Sequence, residues 1–204
     1  MKKKFLLGIL IISFTILACS CSISKGNNSS TSSTKTPEFS SESSDTNFTG
    51  YLTALKNKLS KEVEKNINKI DVTYSKEVKE GYLSQFIFST EDGENYEGSV
   101  YATYDSKKIW NIIYDDWNPI DTKLPFTHLE STSFLNEGPQ YSIVSGVIND
   151  SNISYINIFY VNKLLVKVLP SLKYNTYAFI RTGALHGVAK IEAYSKEDKL
   201  IFKY

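Results

Sequence analysis

The densest group of chemistry-bearing side chains in this 204-residue chain is Asp115-Asp116-Trp117-Asn118. Two carboxylates beside a ring that can stack on a sugar are the ingredients of glycoside chemistry. The run before them reads as a strand, on which adjacent side chains point to opposite faces, so these two carboxylates do not converge. His128 and His186 are the only histidines. They form no His-x-x-x-His pair for zinc, and no Gly-x-Ser-x-Gly elbow supplies a serine for either to activate. Both read as loop residues. Glu91-Asp92-Gly93-Glu94-Asn95 is acidic but lacks the spaced oxygen ligands of a calcium loop, and reads as a hairpin tip. No catalytic residue, cofactor or metal site is expected from these residues.

The candidate binding residues are aromatic. Trp110 and Trp117 are the only tryptophans, and 14 tyrosines accompany them. Rings on a β-face stack on sugars or anchor protein partners, and they are also ordinary strand formers. Part of the tyrosine excess follows codon bias. Arg181 is the only arginine, and Lys, Asn, Ile and Tyr are frequent, which is what AT-rich codons impose. This composition points to a low-GC Gram-positive source.

Charge excludes one partner class. The chain has 23 basic and 22 acidic residues. Lys2, Lys3 and Lys4 lie in a segment expected to be removed, which leaves 20 basic groups against 22 acidic. Nucleic acid needs a basic face to displace counterions, and none is expected here.

Three lysines followed by the uncharged run Phe5 to Ala18 have the form of an export signal. Fourteen residues are too few to span a bilayer as a helix, so residues 1–18 read as a signal peptide rather than a permanent anchor. Cys19 and Cys21 are the only cysteines. A folded body made from the rest of the chain has no disulfide, no catalytic thiol and no thiolate-bound metal.

Ile16-Leu17-Ala18-Cys19 resembles the lipobox of bacterial lipoproteins. It has Ile16 where Leu is usual and Leu17 where a small residue is usual. Ala18-Cys19-Ser20 before Cys21 lacks the aliphatic lead, so Cys19 is the preferred site. The resemblance implies cleavage after Ala18 by signal peptidase II and a diacylglyceryl group on the Cys19 thiol. Two acyl chains give stable membrane attachment where one does not. The expected location is therefore the outer face of the cytoplasmic membrane.

Residues 19–46 follow as a lipidated cysteine and a stalk of Ser, Thr, Asn and charge. The stalk cannot bury enough apolar surface to offset the ordering of its backbone and is expected to be disordered. Such a chain reaches about 30 Å. Ser22-x-x-Lys25 and Ser32-x-x-Lys35, inside this low-complexity stretch, read as chance matches to a catalytic pattern.

The body that must position the aromatics reads as mainly β, α+β overall. Phe48, Tyr51, Leu52, Leu55, Leu59, Val63, Ile67 and Ile70 recur at three and four residues, which predicts one N-terminal amphipathic helix. Its stripe is expected to pack on the sheet that follows. The period then shifts to two. Tyr96, Val100, Ala102 and Tyr104 share one strand face, and Glu97, Ser99 and Thr103 the other. Asp92-Gly93 signals a hairpin with Gly81–Ser89, and Lys108–Tyr114 carries Trp110. Residues 47–118 thus form a helix with antiparallel strands, and 119–140 form a connection containing Pro119, Pro125 and Gly138-Pro139. Residues 141–204 show six short strands separated by turn clusters, which predicts an immunoglobulin-like β-sandwich.

In this last part, Gly146-Val147-Ile148-Asn149-Asp150, the strand Ile156 to Phe159 and Lys190-Ile191-Glu192-Ala193-Tyr194 resemble a pattern of secreted proteins from low-GC Gram-positive bacteria. The chain departs from it at Ser195 and Asp198 in the final turn. The resemblance implies a fold and no activity.

The reading that follows is a membrane-anchored extracytoplasmic lipoprotein acting as a non-catalytic binding or regulatory module at the cell envelope, with an envelope protein or wall glycan as partner. A cell-wall glycan or peptide hydrolase using Asp115, Asp116 and His128 is the alternative. A solute-binding component of a transporter ranks third, because alternating α/β units are missing.

Overall fold

A short strand, β1 (Ser32–Thr34), precedes the helix α1 (Thr46–Glu62) in the computed structural model, which describes residues 32–34, 46–78, 81–107, 109–133, 141–183 and 187–204. The signal segment, Cys19, Cys21 and His186 lie outside the described residues. Tyr51, Leu55 and Leu59 stand four residues apart on α1, and all three are buried. The helix stops well before the apolar spacing does. Glu64 takes a left-handed backbone (φ 54°), and Asn66 exchanges bonds with Glu91, its carbonyl accepting from the Glu91 N–H and its amide donating to the Glu91 carboxylate. Ile67 then opens a strand opposite Thr90. Ile67 and Ile70 had extended the expected helix because a spacing of three fits both a helical stripe and a strand with a bulge, and the register does shift between Ile67 and Lys69.

Four strands form an antiparallel meander: β2 (Ile67–Val78), β3 (Gly81–Thr90), β4 (Asn95–Tyr104) and β5 (Trp110–Pro119). The Asp92-Gly93 turn joins β3 to β4, with Gly93 at a left-handed φ of 87°. Val72, Phe86, Phe88, Tyr96, Val100 and Ala102 meet the helix and make one core. The opposite face is covered as well. Tyr74, Leu83 and Tyr101 pack on Tyr141, Ile143, Ala178 and Ile180.

Those last four residues belong to a second sheet, made of β6 (Leu129–Ser133), β7 (Tyr141–Val147) and β10 (Thr176–Thr182) in the order β10-β7-β6. Tyr141 to Gly146 is buried without alternation. This strand is covered on both sides, which is why its sequence shows no polar face. A third sheet holds β8 (Tyr155–Tyr160), β9 (Leu165–Val168), β11 (Val188–Tyr194) and β12 (Leu200–Lys203), in the order β9-β8-β11-β12, with β1 parallel to the outer edge of β9. Phe126, Val144, Tyr177, Ile156, Ile158 and Ile191 fill the space between the second and third sheets. The body is therefore mainly β, with antiparallel sheets and one helix among the described residues.

Three expectations differ in their bounds. Residues 119–140 contain β6, which Leu129-Glu130-Ser131-Thr132-Ser133 hid by carrying only one apolar residue. Strand β5 runs on to Pro119, because Asp115, Asp116 and Trp117 stay paired with Val100, Ser99 and Gly98. Within the stalk, Ser32–Thr34 pairs with Val166–Val168. No helix among the described residues is long and apolar enough to cross a membrane.

Candidate functional site: the joint between helix and sheet

Asp115 and Asp116 do face opposite ways. Asp116 points toward the second sheet and accepts a hydrogen bond from the Ser131 hydroxyl at 3.0 Å. Asp115 points toward α1 and meets the Lys58 ammonium at 2.9 Å, its side chain only 5% exposed. Lys58 also pairs with Glu62 one turn along the helix. The Trp117 indole N–H donates to Glu62 at 3.3 Å. Two carboxylates, one ammonium and one indole thus converge from elements far apart in sequence.

The two carboxyls are shifted in opposite directions. Burial, reinforced by a hydrogen bond to Glu62, pushes the Asp115 carboxyl up to about 6 against the pull of Lys58. Burial alone would also raise Glu62, but hydrogen bonds from Asp115, Lys58 and Trp117 outweigh it and hold this carboxyl below its ordinary range. Hydrogen bonds to Glu62 and then Asp115 raise Lys58. Of the two carboxyls, Asp115 is the one shifted upward and Glu62 the one shifted downward. Asp115 Oδ2 remains buried without a hydrogen-bond partner.

A cavity of about 430 Å³ opens beside this cluster. Asn57, Lys58, Lys61 and Glu62 line it from the helix, and Trp110 and Asn111 from β5. The Trp110 ring is braced by Tyr51, Tyr82 and Tyr104, with centroids 5.0, 5.7 and 5.2 Å away. Gly50 lets the helix come this close, since a Cβ there would stand 3.3 Å from the indole. Trp117 lies deeper, edge-on to Phe88 and Tyr96. Both tryptophans are half-buried, and Trp110 is the one that lines the cavity.

A larger cavity, about 720 Å³, lies at one end of the second and third sheets, among Ile148, Asn149, Ile153, Leu169, Pro170 and Leu172. Among the described residues, none that lines it is ionisable. The smaller cavity has the richer chemistry: a flat ring, two amides, two ammonium groups and a carboxylate.

A second ionisable group sits between the first two sheets. Glu97 is 2% exposed, and burial pushes its carboxyl up to about 7, with the nearby Thr127 hydroxyl and Val147 N–H pulling the other way and Oε2 buried without a partner. Around it, Thr73 donates to the Gln85 amide oxygen at 3.0 Å, Gln85 to the Gly146 carbonyl at 3.2 Å, and Tyr177 to the Thr127 carbonyl at 2.9 Å. Glu97 and Ser99 were expected on the polar face of a strand. That face is covered by the second sheet.

The remaining expected residues are engaged elsewhere. The His128 ring lies 5.7 Å from that of Tyr204, with Nδ1 buried and unpartnered. Lys65 bridges Asp92 at 2.8 Å and Glu94 at 2.7 Å across the hairpin tip. Among the described residues, no group of three or more His, Cys, Asp or Glu side chains could hold a metal ion. Comparison with protein-family models, curated proteins and solved structures finds no match to this chain.

Proposed function

We propose that the chain is a lipoprotein of the cell envelope, held to the outer face of the cytoplasmic membrane by a diacylglyceryl group on Cys19, and that its β-rich body is a non-catalytic module that binds wall glycan in the α1–β5 groove. The observation that carries the reading is Trp110: a braced indole beside Asn57, Asn111, Lys58, Lys61 and Glu62. An aromatic face ringed by amides and charges suits the apolar face and hydroxyl rim of a sugar.

Binding is favoured over hydrolysis by the carboxylate geometry. Glu62 and Asp115 both contact the one Lys58 ammonium, which ties them together with no room for substrate between them. Glycosidases hold their carboxyl groups about 5–9.5 Å apart, with substrate or water between them. Asp115, Asp116 and His128, the trio a hydrolase was expected to use, are each engaged with different partners.

The same reading takes the second and third sheets as an immunoglobulin-like sandwich, with β6, β7 and β10 as strands A, B and E, and β9, β8, β11 and β12 as strands C′, C, F and G. The order of strands in the two sheets supports it, and it extends the sandwich back from Tyr141 to Leu129. A fold of this kind carries no activity by itself.

Two measurements test the proposal. Labelling cells with radioactive palmitate checks the anchor: label on the wild-type chain and none on Cys19→Ala is expected, and equal label on both removes the anchor. Co-sedimentation with purified cell wall checks the groove. Retention of the wild-type chain, its loss in Trp110→Ala and no release of soluble sugar are expected. Release of sugar would restore the hydrolase.

A further inference from the structure

The cavity of about 720 Å³ is framed by two closed turns. Beyond β7, the Asn149 and Asp150 N–H groups both donate to the Pro125 carbonyl, and the Ile153 N–H donates to the Asp150 carbonyl. Beyond β9, the Ser171 N–H donates to the Thr176 carbonyl at 2.7 Å, and the Asn175 N–H to the Ser171 carbonyl at 2.9 Å. The two turns are tied together, because the Ile148 N–H donates to the Asn175 carbonyl at 2.6 Å. Backbone bonds therefore hold the walls, and the cavity is formed before anything enters it.

Its apolar side is aliphatic. Ile148 and Ile153 belong to the core between the second and third sheets, and Leu169 and Pro170 stand beside them in the lining. Leu172, in the second turn, lines the same cavity and is 92% exposed. No aromatic ring lines it, so a sugar has no face to stack on there as it has at Trp110.

The polar side is neutral. Asn149 uses its amide hydrogens on the Asp121 and Leu124 carbonyls, at 3.1 and 2.8 Å, which leaves the amide oxygen to accept. Ser171 is buried, yet its hydroxyl is not one of the sealed atoms without a partner, and it opens on the cavity it lines. Ser151, Ser154 and Asn175 complete this side. An ionised ligand would lose its water here with no opposite charge to replace it.

We propose that this cavity binds an uncharged segment of a protein partner, one aliphatic side chain with a peptide group on either side. The aliphatic side chain packs on Ile148, Ile153 and Pro170. A peptide N–H donates to the Asn149 oxygen, and peptide carbonyls accept from the serine hydroxyls. Leu172 is covered as the segment enters, so an apolar anchor seats in a pocket with polar groups around it. The volume lies in the range of about 300–1,000 Å³ for ligand sites, enough for a side chain and its flanking peptide groups. The site shares no residue with the α1–β5 groove and does not depend on the glycan reading.

The full chain, labelled with nitrogen-15 and held in lipid nanodiscs, is titrated with blocked tripeptides that carry leucine, glycine, glutamate or lysine between two glycines. The leucine peptide should give saturating shifts confined to the backbone signals of Ser171 to Asn175 and the Asn149 side-chain amide. The glycine peptide should bind at least about 10-fold more weakly, the share of one buried leucine side chain. Leu172→Ser, at a side chain already in water, should leave the fold intact and weaken the leucine peptide about 5-fold. Equal binding of all four peptides, or no saturating shift with any, overturns the site. The same shifts with N-acetylglucosamine would make the occupant a sugar, and magnetisation transfer from lipid acyl protons to Leu172 before any peptide is added would make it the membrane. Either result overturns the proposal.

Discussion

Lys58 on the helix and Asp115 on the strand lie 2.9 Å apart across the joint that holds α1 to its sheet, and the Asp115 side chain is only 5% exposed. A buried carboxyl with one cationic partner is costly to orphan. The Lys58 ammonium is itself a third exposed, which screens the pair. Lys58→Ala should therefore destabilise the chain by about 1–2 kcal/mol, between the values for exposed pairs and for fully buried ones. Chemical denaturation reads this directly, and a midpoint equal to wild type would mean that the pair holds nothing.

Stability should fall as pH rises toward neutrality. The Glu97 carboxyl is raised from 4.5 to about 7 in the folded chain, so the folded state binds the extra proton. A raised acid stabilises below its unfolded value and loses that contribution between about pH 4.5 and 7. With Glu97 at 2% exposure, the loss is on the order of 3 kcal/mol, at about 1.4 kcal/mol for each unit. Asp115, raised to about 6, works in the same direction over the lower part of that range. Tyr177 and Tyr204, the other titratable groups facing Glu97, stay protonated throughout because burial raises both. Denaturant midpoints for wild type and Glu97→Gln between pH 4.5 and 8 test it. The substitution should flatten the slope, and an unchanged slope contradicts the assignment.

Gly146 sets how closely β7 can lie against its neighbours. A Cβ there would come to 2.0 Å from the Thr127 carbonyl oxygen and 2.6 Å from the Tyr177 ring. Backbone cannot give way as a side chain can, so Gly146→Ala should cost about 1–3 kcal/mol or more. Gly187→Ala, in open space, is the control and should stay within about 0.5 kcal/mol. Thermal melting separates the two, and equal melting temperatures would contradict the packing.

Much of the body was legible because alternation and turn residues are local signals. Asp92-Gly93 marked its hairpin, and most strands from Gly81 onward were visible in the sequence. What escaped was set by partners distant in the chain. β6 has almost no apolar pattern and is a strand because β7 pairs with it. Glu97 and Ser99 read as a solvent face because nothing local reveals the second sheet above them. Asp115 was singled out beside Asp116, yet its partners are Lys58 and Glu62 on the helix. Those two sat on the polar side of a stripe and looked like ordinary surface charge. Trp110 was legible as an aromatic, but its bracing by three tyrosines was not.

The groove's claim to bind glycan rests on the indole of Trp110 meeting the ligand. The chain has two indole N–H resonances, from Trp110 and Trp117, and Trp110→Phe tells which is which. Titrating the full wild-type chain with soluble fragments of wall glycan should move the Trp110 signal to a saturating limit. If both indole signals stay in place at concentrations that saturate whatever binding the chain shows to intact wall, the groove is not the site.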